Sequence, residues 1–191
     1  SLTSITIPKS VETIGNYAFS GCTSFTSVTI PNSVVTIGDG LFHECTSLAE
    51  VTIPERMTTI GRHSFYGCSS LASITIPNTV TTIGDASFSG CSSLTSIIIP
   101  SYYISIGYGV VNKTNLTNIS ISNPVLIQKL FPKKQQPIQN IVLLPSPHVT
   151  KLEVAFYKQT NLRSFTIPNT VETIGYGVFK ECESLASITI G

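Results

Sequence analysis

Short stretches of alternating apolar and small polar residues recur along this chain, and the same kinds of residue follow each one. In the segment 73–76, Ser-Ile-Thr-Ile, one face is apolar and the other carries hydroxyls, which is the period-2 pattern of a half-buried strand. Pro77 has no N–H to donate to a neighbouring strand, so it ends the segment. Val80, Ile83 and Phe88 follow at spacings that bring apolar groups back towards the interior. The pattern predicts a strand, a turn and a return path.

This unit recurs at a constant interval and has the general form L-x-x-I-x-I-P-x-x-V-x-x-I-G-x-x-x-F-x-x-C-x-S, whose length equals the period. Copies begin at Leu2, Phe25, Leu48, Leu71, Leu94 and Leu162, and a partial copy spans 185–191. One unit cannot enclose a core, whereas stacked units bury a continuous one. The repeat therefore predicts a single array over 1–191. Because the chain begins and ends in a strand without a polar cap, we expect it to be a fragment of a longer protein.

The repeat is intact over 1–93 and 162–191 and degenerate over 94–161. Leu94 and Leu116 are one residue closer than a full period, whereas the separation of Leu116 and Leu162 equals two periods. The array should therefore contain about eight coils, two of them degenerate. Apolar residues over 125–134 have helix-like spacing and stop near Pro132, so a short helix is expected there.

The intact copies resemble the BspA-like leucine-rich repeat, also called the treponemal type. The resemblance implies an α/β-type, mostly β solenoid: a right-handed superhelix of about eight 23-residue coils, with a parallel sheet on the concave face. It also implies a cell-surface or secreted protein of a host-associated bacterium or mucosal protozoan that adheres to host or microbial proteins. An extracellular or cell-surface location is therefore expected.

The composition narrows the classes of function. Only 11% of the residues are charged, so Ser, Thr, Asn and Gly must fill the surface. A net charge of +1 argues against nucleic-acid binding, which needs a clustered basic surface. No apolar stretch is long enough for a membrane span, and the first seven residues do not resemble a signal peptide.

Cysteine and histidine offer little chemistry. The five cysteines share one repeat position, which favours a column of buried free thiols, although disulfides between neighbouring coils and metal binding remain alternatives. The three histidines do not pair with a distinctive Ser or Cys, so we expect no enzyme activity, no metal and no cofactor. Three glycosylation sequons, at Asn112, Asn115 and Asn118, matter only if the source has a eukaryotic secretory pathway.

The strand positions that face away from the core form two columns, which are mostly Ser and Thr. One interpretation is that these columns form a solvated sheet face, in which Thr is present for its β-propensity. The other is that the residues departing from Ser and Thr bind a partner. In the degenerate region Ile98, Ile141 and Leu143 replace hydroxyls, and Tyr102 and Tyr108 stand where intact coils have Thr79 and Asp85. Exposed aromatic and aliphatic groups are typical of interface hot spots. Lysines are also frequent in this region: Lys129, Lys133, Lys134, Lys151 and Lys158.

The candidate ligand-binding residues are therefore Ile98, Tyr102, Tyr108, Ile141, Leu143, Lys129, Lys133 and Lys134. The leading hypothesis is a non-enzymatic adhesion module that binds a protein. A structural spacer that presents another domain is the alternative. Ice binding through the Ser and Thr columns is a third possibility, but residues such as Glu50 and Asn118 interrupt those columns.

Overall fold

The computed structural model describes residues 3–131, 138–153 and 156–191, and its elements repeat along the chain. In chain order they are β1 (Thr13–Ile14), β2 (Ser27–Thr29), β3 (Thr36–Ile37), β4 (Glu50–Thr52), β5 (Thr59–Ile60), β6 (Ser73–Thr75), β7 (Thr82–Ile83), β8 (Ser96–Ile99), β9 (Ser105–Ile106), β10 (Asn118–Ile121), α1 (Leu126–Leu130), β11 (Asn140–Leu143), β12 (Lys151–Leu152), β13 (Ser164–Ile167), β14 (Thr173–Ile174) and β15 (Ser187–Ile190). The array is a parallel β-solenoid of about 7 turns with little helix.

The strands predicted from the alternating pattern form the front of the solenoid. Strands β6, β8, β10, β11, β13 and β15 make one parallel sheet, and β2 pairs with β4 in the same direction. In β6, Ile74 is buried while Ser73 and Thr75 are exposed, as the alternation predicts. We call these the front strands.

A second set of strands lies on the return path, where the repeat pattern predicted apolar contacts but no strand. Strands β1, β3, β5, β7 and β9 are two residues long and form a continuous parallel sheet, and β12 pairs with β14. All except β12 use the Thr-Ile or Ser-Ile dipeptide before the repeat glycine, and the second residue is turned inward in β1, β3, β5 and β7. We call them the return strands.

The phenylalanines of the repeat form a stack through the core. Phe65 lies between Phe42 and Phe88, with ring centroids 5.5 and 5.3 Å apart, and all three are fully buried. Offset stacking of this kind adds to the stabilisation from apolar burial. Phe19 and Phe179, which occupy the same repeat position as these three, are only half-buried. They lie in coils near the two ends of the described chain, so less of the array covers them.

The cysteines form a second column, and all five thiols are free, as the repeat position favoured. Cys45, Cys68 and Cys91 are buried, and each Sγ–H donates to the backbone oxygen of a phenylalanine in the preceding coil, at 3.0 to 3.1 Å. Burial raises the pKa of Cys45 to about 11 and that of Cys91 to about 12, and it raises the pKa of Cys68 as well. These thiols remain protonated near neutral pH. Cys22 and Cys182 are half-buried.

A third column uses side-chain acceptors after the repeat glycine. Asn16 accepts a hydrogen bond from the N–H of Asp39, and Asp39 accepts one from the N–H of Arg62, at 2.8 and 2.7 Å. Asp85 accepts from the N–H of Tyr108 at 2.8 Å and forms an ion pair with Arg62 at 3.1 Å. Each bond joins one coil to the next, so this column fixes how neighbouring coils stack.

The register of the degenerate coils corrects two of the predicted site residues. Ile119 pairs with Ile141, and Ile121 pairs with Leu143. Ile141 and Leu143 both point into the core, with 1% exposure. Asn118 and Asn140 are 22 residues apart and Asn140 and Ser164 are 24 apart, whereas the prediction assumed two equal steps. A shift of one residue turns every side chain of a strand to the other face. The exposed residue of this strand is therefore Val142.

The predicted short helix is present as α1, whose Leu126, Ile127 and Leu130 are buried. It follows β10 and precedes β11, so it occupies part of the return path where the neighbouring coils have strands. Pro132, Lys133 and Lys134, the remainder of the predicted segment, lie outside the described residues. Among the described residues, no helix is long and apolar enough to cross a membrane.

Candidate binding surface

Two exposed aliphatic side chains lie close together on the front of the irregular coils, by which we mean residues 94–161. Ile98 on β8 and Val142 on β11 both pair in register with Ser120 on the strand between them, and each is 38% exposed. Because adjacent strands are about 4.8 Å apart, the two side chains are about 10 Å apart across Ser120. They form a small apolar patch where intact coils present hydroxyls. We call Ile98, Ser120 and Val142 the front patch.

The tyrosines predicted as anchors differ in exposure. Tyr108 follows the return strand β9 and is 78% exposed, as expected. Tyr102 is half-buried against the core, and its neighbour Tyr103 is the exposed ring, at 69%. Tyr103 was not predicted as a site residue, although the adjacent pair of tyrosines after Pro100 was a visible signal. Tyr108 lies in the turn after β9, whereas Tyr102 and Tyr103 lie in the loop after the front strand β8.

Tyr102, Tyr103 and His148 form one aromatic cluster. The ring of Tyr102 lies 5.0 Å from that of Tyr103 and 4.9 Å from the His148 imidazole, and Tyr103 lies 4.8 Å from His148. The Tyr103 hydroxyl is 3.2 Å from Nδ1 of His148. These contacts connect two loops that are far apart in sequence, which is why the repeat pattern could not reveal them.

A cleft of about 420 Å³ opens beside this cluster. The loops that follow β8, β10 and β11 meet there, because parallel strands place their carboxyl ends at one edge of the sheet. Tyr102 and His148 form one wall, the start of α1 contributes Val125 and Gln128, and further lining comes from Asn123, Pro124, Val149, Lys151 and Glu153. We call this the loop cleft.

Asn123 holds the loop cleft in shape. Its side-chain amide donates to the backbone oxygen of Tyr102 at 3.1 Å, and its Oδ1 accepts from the N–H of Val125 at the same distance. One side chain therefore ties the loop after β8 to the start of α1. Lys151 and Glu153 form an ion pair of 3.0 Å between two largely exposed side chains.

The described lysines do not form a free basic patch. Lys129 is exposed on α1, but Lys151 pairs with Glu153, and Lys158 pairs with Glu181 at 3.3 Å. Hydrogen bonds from Tyr157 and Lys158 lower the pKa of Glu181, whereas those to Tyr157 and Glu181 raise the pKa of Lys158. Lys133 and Lys134, also predicted as site residues, lie outside the described residues.

The three histidines contact aromatic rings. His148 contacts two tyrosines, while His43 stacks on Tyr66 at 5.0 Å and lies 6.4 Å from His63. Within residues 3–131, 138–153 and 156–191, no three potential metal-ligating side chains are grouped. A stack of coils with a small apolar patch and a lined cleft is the architecture of a solenoid binding scaffold, which is typically non-enzymatic.

Comparison with known protein families identifies the family to which this scaffold belongs. Residues 1–85 and 150–191 match the BspA type leucine-rich repeat region, in 6 copies, and the chain belongs to this family. The irregular coils lie largely in the gap between the two matched ranges. Leucine-rich repeats of this kind generally mediate protein–protein interaction.

Solved structures share the fold. The leucine-rich repeat protein of T. pallidum is 27% identical, with a TM-score of 0.54, and the match covers 92% of this chain and 72% of that one. A leucine-rich repeat protein from Eubacterium ventriosum is 24% identical at a TM-score of 0.53, over 93% of this chain and 57% of that one. The pneumococcal vaccine antigen PcpA is 19% identical at a TM-score of 0.59, over 100% and 42%. The chain thus spans about half the length of the last two. No curated protein sequence matches it.

Proposed function

We propose that this chain is a non-enzymatic adhesion module that binds a protein partner outside the cell or at the cell surface, and that the irregular coils carry the binding site. Family membership supports the protein-binding part of this proposal, since leucine-rich repeats generally act in that way. The location and the adhesive role rest on the resemblance to BspA-like repeats.

The front patch is the observation that carries the proposal. Burying exposed aliphatic carbon contributes about 25 cal/mol per Å², whereas covering a hydroxyl that water already satisfies contributes little. A partner that binds the front therefore gains more free energy by covering Ile98 and Val142 than by covering the Ser and Thr of the intact coils. Tyr103 and Tyr108, the two most exposed rings of the irregular coils, extend the apolar surface to two further sides.

Lys129, Lys133 and Lys134 are proposed to act on the rate of encounter. Lysines near an interface increase the rate of association with an acidic partner more than they increase the stability of the complex. Raising the salt concentration should then slow association before it accelerates dissociation.

The test replaces the two aliphatic side chains of the front patch with Thr, a residue type that fills the exposed columns of the intact coils. The double variant Ile98→Thr/Val142→Thr keeps β-branched side chains on the strands, so the sheet itself should be preserved. Its binding to a panel of purified extracellular-matrix and serum proteins would be measured by surface plasmon resonance. The control is Thr29→Ser/Thr52→Ser, which changes two exposed front positions of intact coils.

We expect the front-patch variant to bind at least one panel protein about tenfold more weakly than the wild type, with an unchanged melting temperature. The control should bind normally. Equal binding by wild type and front-patch variant, with loss in the control, would place the site on the intact coils. If the wild type binds no panel protein, while protease treatment of intact cells leaves the chain uncut, the surface-adhesion proposal fails and the spacer hypothesis gains support.

A second pair of variants tests the exposed tyrosine. Tyr108 and Tyr176 both follow an Ile-Gly pair and are both largely exposed, but only Tyr108 lies in the irregular coils. Tyr108→Ser should weaken binding by about 1–2 kcal/mol, whereas Tyr176→Ser should leave it unchanged. Equal loss in both variants would assign the effect to exposed tyrosine in general.

A further inference from the structure

We propose that the loop cleft binds a neutral sugar, one or two pyranose rings at the end of a glycan. This inference concerns a different surface from the front patch and does not depend on the protein-binding proposal. The volume of about 420 Å³ falls within the range of roughly 300–1,000 Å³ that small-molecule sites occupy.

The wall of the cleft is suited to the apolar face of a sugar. Tyr102 and His148 lie 4.9 Å apart with their planes inclined by 36°, so the two rings pack against each other and line the cleft with aromatic carbon. Tyr103 packs edge-on against both rings and its hydroxyl reaches Nδ1 of His148, which fixes the imidazole orientation. A pyranose ring presents C–H groups on one face, and these bury well against aromatic carbon. The wall is therefore already ordered before a ligand arrives.

The cleft is also lined by hydrogen-bonding groups that have no partner among the described residues. These are the Gln128 side-chain amide and Nε2 of His148. An amide both donates and accepts, as does each hydroxyl of a sugar. Asn123, in contrast, uses one donor and one acceptor to join the loops, so its role is to position Tyr102.

The charges at the rim favour a neutral ligand. Lys151 and Glu153 are 3.0 Å apart and of opposite sign, so they cancel at a distance while each can still donate to or accept from a hydroxyl. A phosphate or carboxylate ligand would face the Glu153 carboxylate as well as the Lys151 ammonium. A wholly apolar ligand would cover these polar groups without giving them partners, which costs free energy.

The experiment uses saturation-transfer NMR on the full chain with methyl α- and β-pyranosides of glucose, galactose, mannose and N-acetylglucosamine as probes. Adenosine, methyl phosphate and a Tyr-containing neutral tripeptide serve as comparison ligands. We expect signal transfer to at least one pyranoside, strongest at the ring protons of one face, and none to methyl phosphate.

Three variants distinguish the cleft from the rest of the surface. Tyr102→Leu keeps apolar contact with the core but removes the aromatic wall, and should weaken pyranoside binding by about tenfold. Gln128→Ala should weaken it by about threefold or more through one lost hydrogen bond, while Asn78→Ala removes an exposed amide from an intact coil and should have no effect. Tyr102→Phe, a conservative companion to the first variant, should retain most of the binding.

The inference is overturned if no pyranoside receives signal, if Tyr102→Leu and Gln128→Ala bind like the wild type, or if adenosine or the peptide binds the cleft in preference. Circular dichroism of Tyr102→Leu guards against a folding defect. If that variant unfolds, Gln128→Ala, whose side chain is exposed, decides the outcome alone.

Discussion

The regular coils, residues 3–93, and the irregular coils, residues 94–161, are joined by different sheets. In the regular coils the return strands β1, β3, β5, β7 and β9 run without a break into the first irregular coil, each one full period after the last. The front strands there pair less completely, because no ladder joins β4 to β6 among the described residues. In the irregular coils the front strands pair continuously, while no return strand is described between β9 and β12.

The difference shows which part of a coil absorbs a change in length. Ile106 follows Ile83 by a full period, but Ile119 follows Ile97 by one residue less, so the missing residue falls after β9. The front strands remain paired through steps of 22, 22 and 24 residues. All three of these coils keep their front strand, and two of them also keep a return strand, β9 and β12. Among the described residues only the coil between β10 and β11 has none. There α1 takes the place of the return strand, and the loop cleft forms beside it.

The largest expected effect is on the free energy of unfolding, when buried positions of the regular and irregular coils are compared. Phe65→Ala should lower the free energy of unfolding by about 3–5 kcal/mol, because the buried ring contacts Phe42 and Phe88 and its loss leaves a cavity. Val111 occupies the phenylalanine position of an irregular coil, and Val111→Ala should cost about 2 kcal/mol. Urea unfolding followed by far-UV circular dichroism measures both. Since each coil rests on its neighbours, Phe65→Ala should also separate the transition into two steps.

That prediction would be contradicted by a single transition in Phe65→Ala with a loss below about 1 kcal/mol. Equal losses for Phe65→Ala and Val111→Ala would remove the contrast between the regions. Thr58→Ala, at an exposed position, serves as a control for the unfolding measurement.

The next largest expected difference in stability is between variants at the buried and exposed positions of β11. Ile141→Thr should destabilise the chain by about 2–3 kcal/mol, because it removes buried carbon and places a hydroxyl in the core. Val142→Thr, at the neighbouring exposed position, should change stability by less than about 0.5 kcal/mol. Thermal unfolding of the two single variants measures this difference. The reverse order of stability would mean that the strand faces the other way.

The buried thiols should make stability depend on alkaline pH. Burial raises the pKa of Cys45 and Cys91 in the folded chain above the ordinary value of 9.0, to about 11 and 12. Each thiol therefore contributes fully below pH 9, and its contribution falls as the pH rises towards these folded values. The slope above pH 9 should approach about 1.4 kcal/mol per pH unit for each thiol.

Melting temperatures of the wild type and of Cys91→Ala between pH 7 and 11 test this dependence. The variant should be less stable at pH 7 but should lose less stability between pH 9 and 11. Cys182, half-buried near the end of the array, provides the comparison, since Cys182→Ala should flatten the curve less. Parallel curves for all three proteins would contradict a role for buried thiols.

The smallest expected effect on stability concerns the hydrogen bond between Asp85 and Tyr108, at the boundary between the regular and irregular coils. Asp85→Ala removes the acceptor for the N–H of Tyr108 and the partner of Arg62, and should cost about 1 kcal/mol. Asp85→Asn should restore most of the loss, because an amide oxygen still accepts from Tyr108. Urea unfolding at low and high salt measures the two variants. If Asp85→Asn is as unstable as Asp85→Ala, the ion pair matters more than the bond to the backbone.

The sequence was sufficient to predict the features that the repeated residues of the pattern specify directly. The front strands, the phenylalanine stack and the free thiols follow from one pattern that packs against itself. The return strands were missed because two residues are too few to show a period. Ile141 and Leu143 were misplaced because two periods divide here into steps of 22 and 24, and the total alone cannot show this division.

The loop cleft could not be predicted for a different reason. Its walls come from three loops, and Tyr102 and His148 are brought together by the packing of neighbouring coils across a segment of altered length. Ile98 was correctly placed on the exposed face of the front strand, because its coil keeps the regular spacing up to β9. Tyr102 was given the exposure that belongs to Tyr103, since nothing in the repeat specifies which of two adjacent rings turns inward.

The equal spacing of the bonds between regular coils has a consequence for how such a chain can change its length. Neighbouring regular coils pair through return-strand residues one full period apart, and Asn16 and Asp39 accept backbone hydrogen bonds at the same spacing. Duplicating or deleting one whole coil would therefore create no new kind of interface. The irregular coils lack this freedom, because their unequal steps fit only the neighbours they have. A lineage of such proteins could lengthen or shorten its regular part by recombination between copies while the surface formed by the irregular coils is inherited as one unit.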